Sequence, residues 1–345
     1  MRAPDHWYEP PGWRAQLLQP VATAYAAIAR LRQRMIVPQR ASLPVVCVGN
    51  ITAGGSGKTP VAIALARRLS ALGERPVFLT RGYGGRVPGP ILVDADRALA
   101  IDVGDEPLLL ARFFPTIVSG NRPKGADTAA LTDGSVVVMD DGYQNPSLQK
   151  DAGILVADAD VGLGNGRLIP AGPLRELPQA ALERADALVL MGDGRAGDAI
   201  AAQAEALGVP TFHGRLEPVG DRDQWRGRRV LAFAGIGRPS KFFASLDALG
   251  VDIREQQIYA DHHVYTDDEA QAMLSRARAH GLELVTTQKD QARLRGSGHS
   301  GALAELYATA RTLEVEVAFD DAAGLDQILK VRINAATHAG AYRAF

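Results

Sequence analysis

The sequence predicts an α/β fold: a mostly parallel sheet with flanking helices, plus a second, smaller α/β domain. Three observations carry that expectation. Short apolar runs recur at 45–48, 75–80, 116–119, 135–139, 153–157, 187–191 and 211–216, short enough for strands buried on both faces. Stretches of helical apolar spacing separate several of them, which is the alternation of βα units. Glycine-rich or charged loops follow many of the runs, at the strand ends where parallel sheets collect ligands.

At 345 residues the chain can bury a large core and divide into two domains. A hydrophobic fraction of 46% and a charged fraction of 22% are those of an ordinary globular protein. The net charge of −1 gives no global pull toward nucleic acid, and none is expected as a partner. The single cysteine, Cys47, excludes an internal disulfide and a Cys-cluster metal site. It lies in an apolar run, where it acts as a small hydrophobe, and this usage suits a reducing compartment. Residues 1–12 are polar and proline-rich and do not read as a signal peptide.

Residues 12–38 space Leu17, Leu18, Val21, Tyr25, Ile28, Leu31 and Met35 as a helix does. Between Pro11 and Pro44 there is no acidic residue, but Arg14, Arg30, Arg32, Arg34 and Arg40 are present. Pro20 and Arg30 interrupt the stretch before it reaches the roughly 20 apolar residues of a bilayer span. Two readings follow: a basic amphipathic helix lying on an anionic membrane surface, or a helix packed on its own domain.

The run at 45–48 leads into Thr52-Ala53-Gly54-Gly55-Ser56-Gly57-Lys58-Thr59, and Pro60 opens a helical pattern. Strand, glycine-rich turn, helix is the setting of a phosphate-binding P-loop. Its amides and the helix N-terminus face a polyphosphate, Lys58 reaches the β- and γ-phosphates, and Thr59 sits on Mg²⁺. The pattern asks for glycine at 52, where this chain has Thr52.

The run at 75–80 enters Arg81-Gly82-Tyr83-Gly84-Gly85-Arg86, a basic loop on the same edge. Gly104-Asp105-Glu106-Pro107 precedes a helix, so Asp105 is either an N-cap or a general base. Gly120-Asn121-Arg122-Pro123-Lys124-Gly125 is again polar and basic ahead of a helix. The run at 135–139 closes on Asp140-Asp141-Gly142-Tyr143-Gln144, the form in which a carboxylate holds Mg²⁺. Residues 162–176, with four glycines, two prolines, Arg167 and Arg175, read as a functional loop. Charged residues 221–229 mark the domain boundary. Beyond it come a strand at 230–234, a helix ending at Leu249, Asp261-His262-His263, a helix at 267–280, a strand at 284–287 ending in Gln288-Lys289-Asp290, a strand at 315–319 and a last helix. The expected division is 1–40 (basic amphipathic region), 41–225 (P-loop domain) and 226–345 (smaller lid domain), with room for the last helix to return to the first domain.

In series, these stretches resemble the tetraacyldisaccharide 4′-kinase family, the lipid A kinases of Gram-negative bacteria. The resemblance runs from Gly49-Asn50-Ile51-Thr52 through the P-loop to Pro60, and through the Arg81, Asp105 and Asp140 motifs. It continues in Leu168-Ile169-Pro170-Ala171-Gly172-Pro173-Leu174-Arg175-Glu176, Asp261-His262-His263 and Thr286-Thr287-Gln288-Lys289-Asp290, spanning about 10–295 in the family's order. Gln288 stands where Glu is expected, and Asn145 where the family often has His.

The resemblance implies transfer of the ATP γ-phosphoryl group to the 4′-hydroxyl of a tetraacylated glucosamine disaccharide 1-phosphate, at the cytoplasmic face of the inner membrane. It implies ATP held by Thr52 to Thr59, Mg²⁺ on Thr59 with Asp140 or Asp141, and Asp105 as base helped by His262. It implies substrate contacts from Asn121, Arg122 and Arg175, a membrane-docking N-terminal helix, and a second domain closing over the nucleotide. The competing readings are a P-loop kinase for a soluble acceptor and a non-catalytic, membrane-associated nucleotide-binding protein. A nucleotide-driven metal chaperone lacks its Cys/His tract here.

Overall fold

Two sheets organise the computed structural model, which describes residues 4–295 and 301–341. The extremities of the expected first and last domains, 1–3 and 342–345, lie outside the described residues. The strands are β1 (Val45–Asn50), β2 (Pro76–Thr80), β3 (Ile91–Leu92), β4 (Thr116–Val118), β5 (Val136–Asp140), β6 (Ala152–Asp158) and β7 (Ala187–Met191). They continue with β8 (Thr211–Pro218), β9 (Arg229–Ala234), β10 (Asp252–Ile258), β11 (Glu283–Thr287), β12 (Arg311–Leu313) and β13 (Val315–Phe319). The helices are α1 (Trp13–Met35), α2 (Lys58–Ala71), α3 (Ala100–Val103), α4 (Asp105–Ala111), α5 (Arg122–Ala129) and α6 (Pro178–Leu182). After them come α7 (Asp198–Ala206), α8 (Pro239–Ala248), α9 (Asp267–His280), α10 (Gln288–Arg295), α11 (Gly301–Thr309) and α12 (Ala322–Ala341).

Among the described residues, nine strands form one sheet in the order β13-β8-β7-β6-β1-β5-β2-β4-β3. Its interior is parallel, and only the two edge pairs are antiparallel. The interior strands are buried on both faces, which is why they read as continuous apolar runs. Val61, Leu65 and Leu69 of α2 bury one helical stripe against one face, together with Leu325, Leu329 and Ile333 of α12. The other face is covered from Ala126 and Ala129 of α5, Ala181 and Leu182 of α6 and Ile200 of α7.

The second sheet is all parallel, in the order β10-β9-β11-β12, with α8 packed on one side and α9 and α11 on the other. Its core includes Trp225, which sits inside the segment expected to be a solvated boundary. The large correction is at the C-terminus. β13 does not stay with the lid; it pairs antiparallel with β8 and closes that edge of the nine-stranded sheet. Val317 enters the large core, and α12 follows it, pinned by a bidentate Arg68–Asp326 pair at 2.6 Å. The polar strand β10, D-I-R-E-Q-Q-I, was not expected, because an edge strand carries little apolar alternation.

Candidate active site

Register sets up the site. β1 and β5 are parallel neighbours with Val48 opposite Asp140, so the P-loop and the Asp140 strand end emerge side by side. Gly57, at φ 85°, turns the chain into α2, whose first residues are Lys58 and Thr59. Within the loop, Asn50 Nδ2 donates to Thr52 O (2.6 Å) and Ser56 Oγ (2.8 Å). Thr52 has a physical reason to differ from glycine. It forms an antiparallel bridge with Leu174, flanked by Ala53 N–H to Pro173 O and Arg175 N–H to Ile51 O, both 2.7 Å. Its φ is not positive, so the backbone there needs no glycine.

Thr59 Oγ1 donates to Asp140 Oδ2 at 2.9 Å, and Asp140 Oδ1 is buried without a hydrogen-bond partner. Burial, then the nearby Glu106 and Asp141 charges, push the Asp140 carboxyl up to about 7, against Lys58 and Thr59. Asp141, at φ 52°, leans the other way. Burial raises it, but Lys58 and Arg175 overcome that and hold it below the usual carboxylate range. Arg175 Nη1 donates to Asp141 Oδ1 at 2.9 Å, and Lys58 Nζ stands 3.9 Å from the same atom. Gln144 Nε2 donates to Asn50 O (2.7 Å) and Glu176 Oε1 (3.0 Å), tying the Asp140 loop to the 162–176 loop.

An orphaned buried carboxylate oxygen beside a threonine hydroxyl fits a hard cation that shares its other ligands with phosphates and water. No cluster of three or more His, Cys, Asp or Glu suited to a metal occurs among the described residues.

A second group of polar contacts centres on Asp105, next in sequence to the Glu106 whose charge acts on Asp140. Asp105 is the first residue of α4 rather than its N-cap, which is Gly104. Its carboxylate meets His262 Nδ1 at 3.2 and 3.1 Å and Arg293 Nη2 at 2.5 Å, both from the second sheet's unit. Burial raises Asp105, but His262, Lys289 and Arg293 more than offset it and hold the group well below the usual carboxylate range. His262 sits at φ 61°, against the Tyr83 ring at 5.5 Å. The second unit also reaches the P-loop: a Cβ at Gly237 would stand 3.2 Å from Asp261 Oδ2 and 3.7 Å from the Gly55 amide nitrogen.

The remaining expected residues fall differently. Asn121 caps α5, its side chain accepting from Lys124 N–H at 3.1 Å. Arg122 is buried, donates to Ser119 O and keeps an unpartnered Nε. Sequence reasoning did not single out Glu106, paired with Lys289 at 3.0 Å, or Asp158, paired with Arg238 at 2.5 Å and Lys241 at 2.8 Å. It also missed the N-terminal turn, where the Tyr8 hydroxyl would meet a Cβ at Gly54 at 3.6 Å and Trp7 Nε1 donates to Pro170 O at 3.0 Å. These are contacts between distant segments, and only the aromatic residues before α1 offered a local signal.

Fold and site together are those of a P-loop phosphotransferase. The family model for LpxK, tetraacyldisaccharide-1-P 4′-kinase, matches residues 14–334, and the chain belongs to that family. The chain is 50% identical over 327 residues to the tetraacyldisaccharide 4′-kinase of Parvibaculum lavamentivorans, covering 93% of this chain and 95% of the relative. It is 48% identical to the kinase of that name from Rhodopseudomonas palustris strain BisB5, covering 97% and 98%. The crystal structure of LpxK from Aquifex aeolicus in complex with ATP aligns with a TM-score of 0.71 at 27% identity, covering 92% of this chain and 99% of that one.

Proposed function

We propose that this chain transfers the γ-phosphoryl group of ATP to the 4′-hydroxyl of a tetraacylated glucosamine disaccharide 1-phosphate, a step of lipid A biosynthesis. Family membership supports the reaction. The observation that carries it is the pairing of two half-sites: the Thr59–Asp140 bond at the P-loop and the Asp105–His262 contact opposite. The first suits a nucleotide, and the second suits an acceptor hydroxyl.

The amides of Gly54 to Thr59 and the N-terminus of α2 cradle the phosphates, and Lys58 adds a point charge. Thr59 with Asp140 or Asp141 would hold Mg²⁺, which supplies charge neutralisation across the β- and γ-phosphoryl oxygens. Asp105 orients the acceptor hydroxyl and takes its proton. A carboxylate of low proton affinity suits a loose transition state, in which the proton leaves late and positioning dominates. His262 keeps that carboxylate aimed at the cleft. Arg175, Asn121 and Arg122 are assigned as contacts to the substrate or the transferring phosphoryl group, on the family resemblance.

Delivery of a lipid acceptor is the work of α1. Trp13, Leu17, Val21, Ile28, Leu31 and Met35 are all more than half exposed, whereas only Ala15 and Ala22 of this helix are buried. Exposed Arg14, Arg30, Arg32 and Arg34 flank that stripe and no acidic residue opposes them, which suits an anionic surface. No described helix is long and apolar enough to cross a membrane. We place the chain at the cytoplasmic face of the inner membrane, held peripherally or monotopically.

The test is phosphoryl transfer with purified chain, ATP, Mg²⁺ and the lipid disaccharide 1-phosphate, read by mass spectrometry. A lipid product carrying one more phosphoryl group is expected. Asp105→Ala should lower turnover with ATP binding largely kept, and near-normal turnover in that variant would remove the base assignment.

A further inference from the structure

One buried cation at the site belongs to no motif of the P-loop domain. Arg293 lies on α10 and is 3% exposed. Its Nη2 donates to Asp105 Oδ2 at 2.5 Å, while Nη1 donates to Asp290 Oδ1 at 2.7 Å and to Gly235 O at 3.1 Å. Asp290 is fully buried and fixed from three further sides. Its Oδ1 accepts from Tyr265 Oη (2.9 Å) and Gly235 N–H (3.1 Å), and its Oδ2 from Thr287 Oγ1 (2.7 Å).

The same Gly235 carbonyl accepts the backbone N–H of His262 at 3.2 Å. A closed ring results: Gly235 O, Arg293, Asp105, His262, and back to Gly235 O. It joins the end of β9, the loop after β10 and helix α10 to the first residue of α4. One turn earlier on α10, Lys289 pairs with Glu106, the next residue of α4. The buried hub at Asp290 fixes the guanidinium, and the guanidinium fixes Asp105 relative to His262.

We propose that Arg293 is a positioning residue for the transfer reaction: it aims the Asp105 carboxylate between His262 and the acceptor hydroxyl, and makes that alignment depend on docking of the second unit onto α4. The proposal rests on the kinase reading above. Geometry gives guanidinium a role that an ammonium cannot copy. Its planar fork serves Asp105 and Asp290 at once, and a lysine offers one point charge to one of them. Because the Arg293 side chain bonds Asp105, Asp290 and Gly235 of the protein, its loss is expected to act on kcat and leave ATP affinity alone. Because it works through Asp105, its effect vanishes when Asp105 cannot act as base.

The experiment is a double-mutant cycle of Arg293→Gln with Asp105→Asn, with steady-state transfer kinetics and circular-dichroism melts on the full chain. Misplacement of a catalytic group by about an ångström costs on the order of 10²-fold, and Arg293→Gln should lose roughly that much in kcat. Its KM for ATP should stay within about threefold of wild type, a much smaller change than loss of binding energy would give. In the Asp105→Asn background the same substitution should change kcat by less than about threefold. Unchanged kcat in Arg293→Gln, or an equal loss in both backgrounds, overturns the proposal. Should Arg293→Gln fail to fold, Arg293→Lys carries the test: a folded variant with kcat down about tenfold and KM for ATP kept supports the fork, and wild-type kcat refutes it. A wild-type chain that makes no phosphorylated lipid fails the kinase reading itself, a separate outcome.

Discussion

The domain junction and helix α1 solve opposite problems. At the junction, Asp105 and Arg293 are almost completely buried and each meets oppositely charged or polar partners. Along α1, six large apolar side chains are more than half exposed. Burying a charge is costly unless it is paired, so the junction holds one arrangement and breaks sharply when a partner is removed. Exposing an apolar stripe is costly until something covers it, which is why the proposed function gives α1 a surface outside the chain. On the proposed function, the junction carries the chemistry and the helix the delivery.

Breaking the rigid side should have the largest effect. Removing the base with Asp105→Ala should lower turnover by about 10²- to 10⁴-fold, measured at saturating ATP and acceptor. Lys58→Ala should lose roughly 10²- to 10³-fold, with weaker nucleotide binding by calorimetry. If these two variants were equal in ATP affinity, the division of labour across the cleft would be wrong.

Breaking the delivery side should give a different pattern. Changing Leu17, Val21, Ile28 and Leu31 together to Ser removes side chains worth about 1.5–3 kcal/mol each when fully buried. Partition onto anionic vesicles should fall by about 10²-fold or more on that scale, while turnover on detergent-dispersed acceptor holds. Changing Arg30, Arg32 and Arg34 to Gln should weaken vesicle binding by about 1 kcal/mol per residue, less at high salt.

Smaller effects sharpen the junction's electrostatics. Asp105 is held below its ordinary value of 3.8, so it adds stability above that pH, and the contribution is lost as pH falls through the depressed folded value. Asp105→Asn should therefore melt below wild type at neutral pH, with the gap narrowing under acid. At the bottom of the scale, Arg97→Ala breaks only an exposed 3.9 Å pair with Asp94 and should move stability by no more than about 0.5 kcal/mol.

How much of this the sequence reveals follows the same divide. Local signals were legible: the P-loop, the strand closing on Asp140, the Asp105 turn and Asp261-His262 all lie where backbone pattern and chemistry coincide. Gln288 departs from the expected Glu, yet its Oε1 accepts Val315 N–H at 3.1 Å, a role either side chain fills. Asn145 Oδ1 accepts from Ser147 N–H (2.9 Å) and Ser147 Oγ (2.7 Å), a turn that an asparagine suits. What stayed hidden is non-local. Arg293 carries no local signal, and Lys289 stands out only within the Thr286–Asp290 stretch, until α10 docks on α4. The return of β13 ahead of the last helix depends on an open edge of β8 that no local pattern announces. Asn121, whose side chain caps α5, shows that capping and binding draw on the same polar residue ahead of a helix.

The proposed function joins an ATP site to a membrane-held sugar hydroxyl in one chain. The direct test supplies γ-labelled ATP and Mg²⁺ to the wild-type chain with tetraacyldisaccharide 1-phosphate in anionic vesicles, and locates the label on the lipid by NMR. Label on the 4′-oxygen is expected, formed faster by the chain with its intact helix than by the four-serine variant. Hydrolysis of ATP with no labelled lipid, or label at another position, would contradict it.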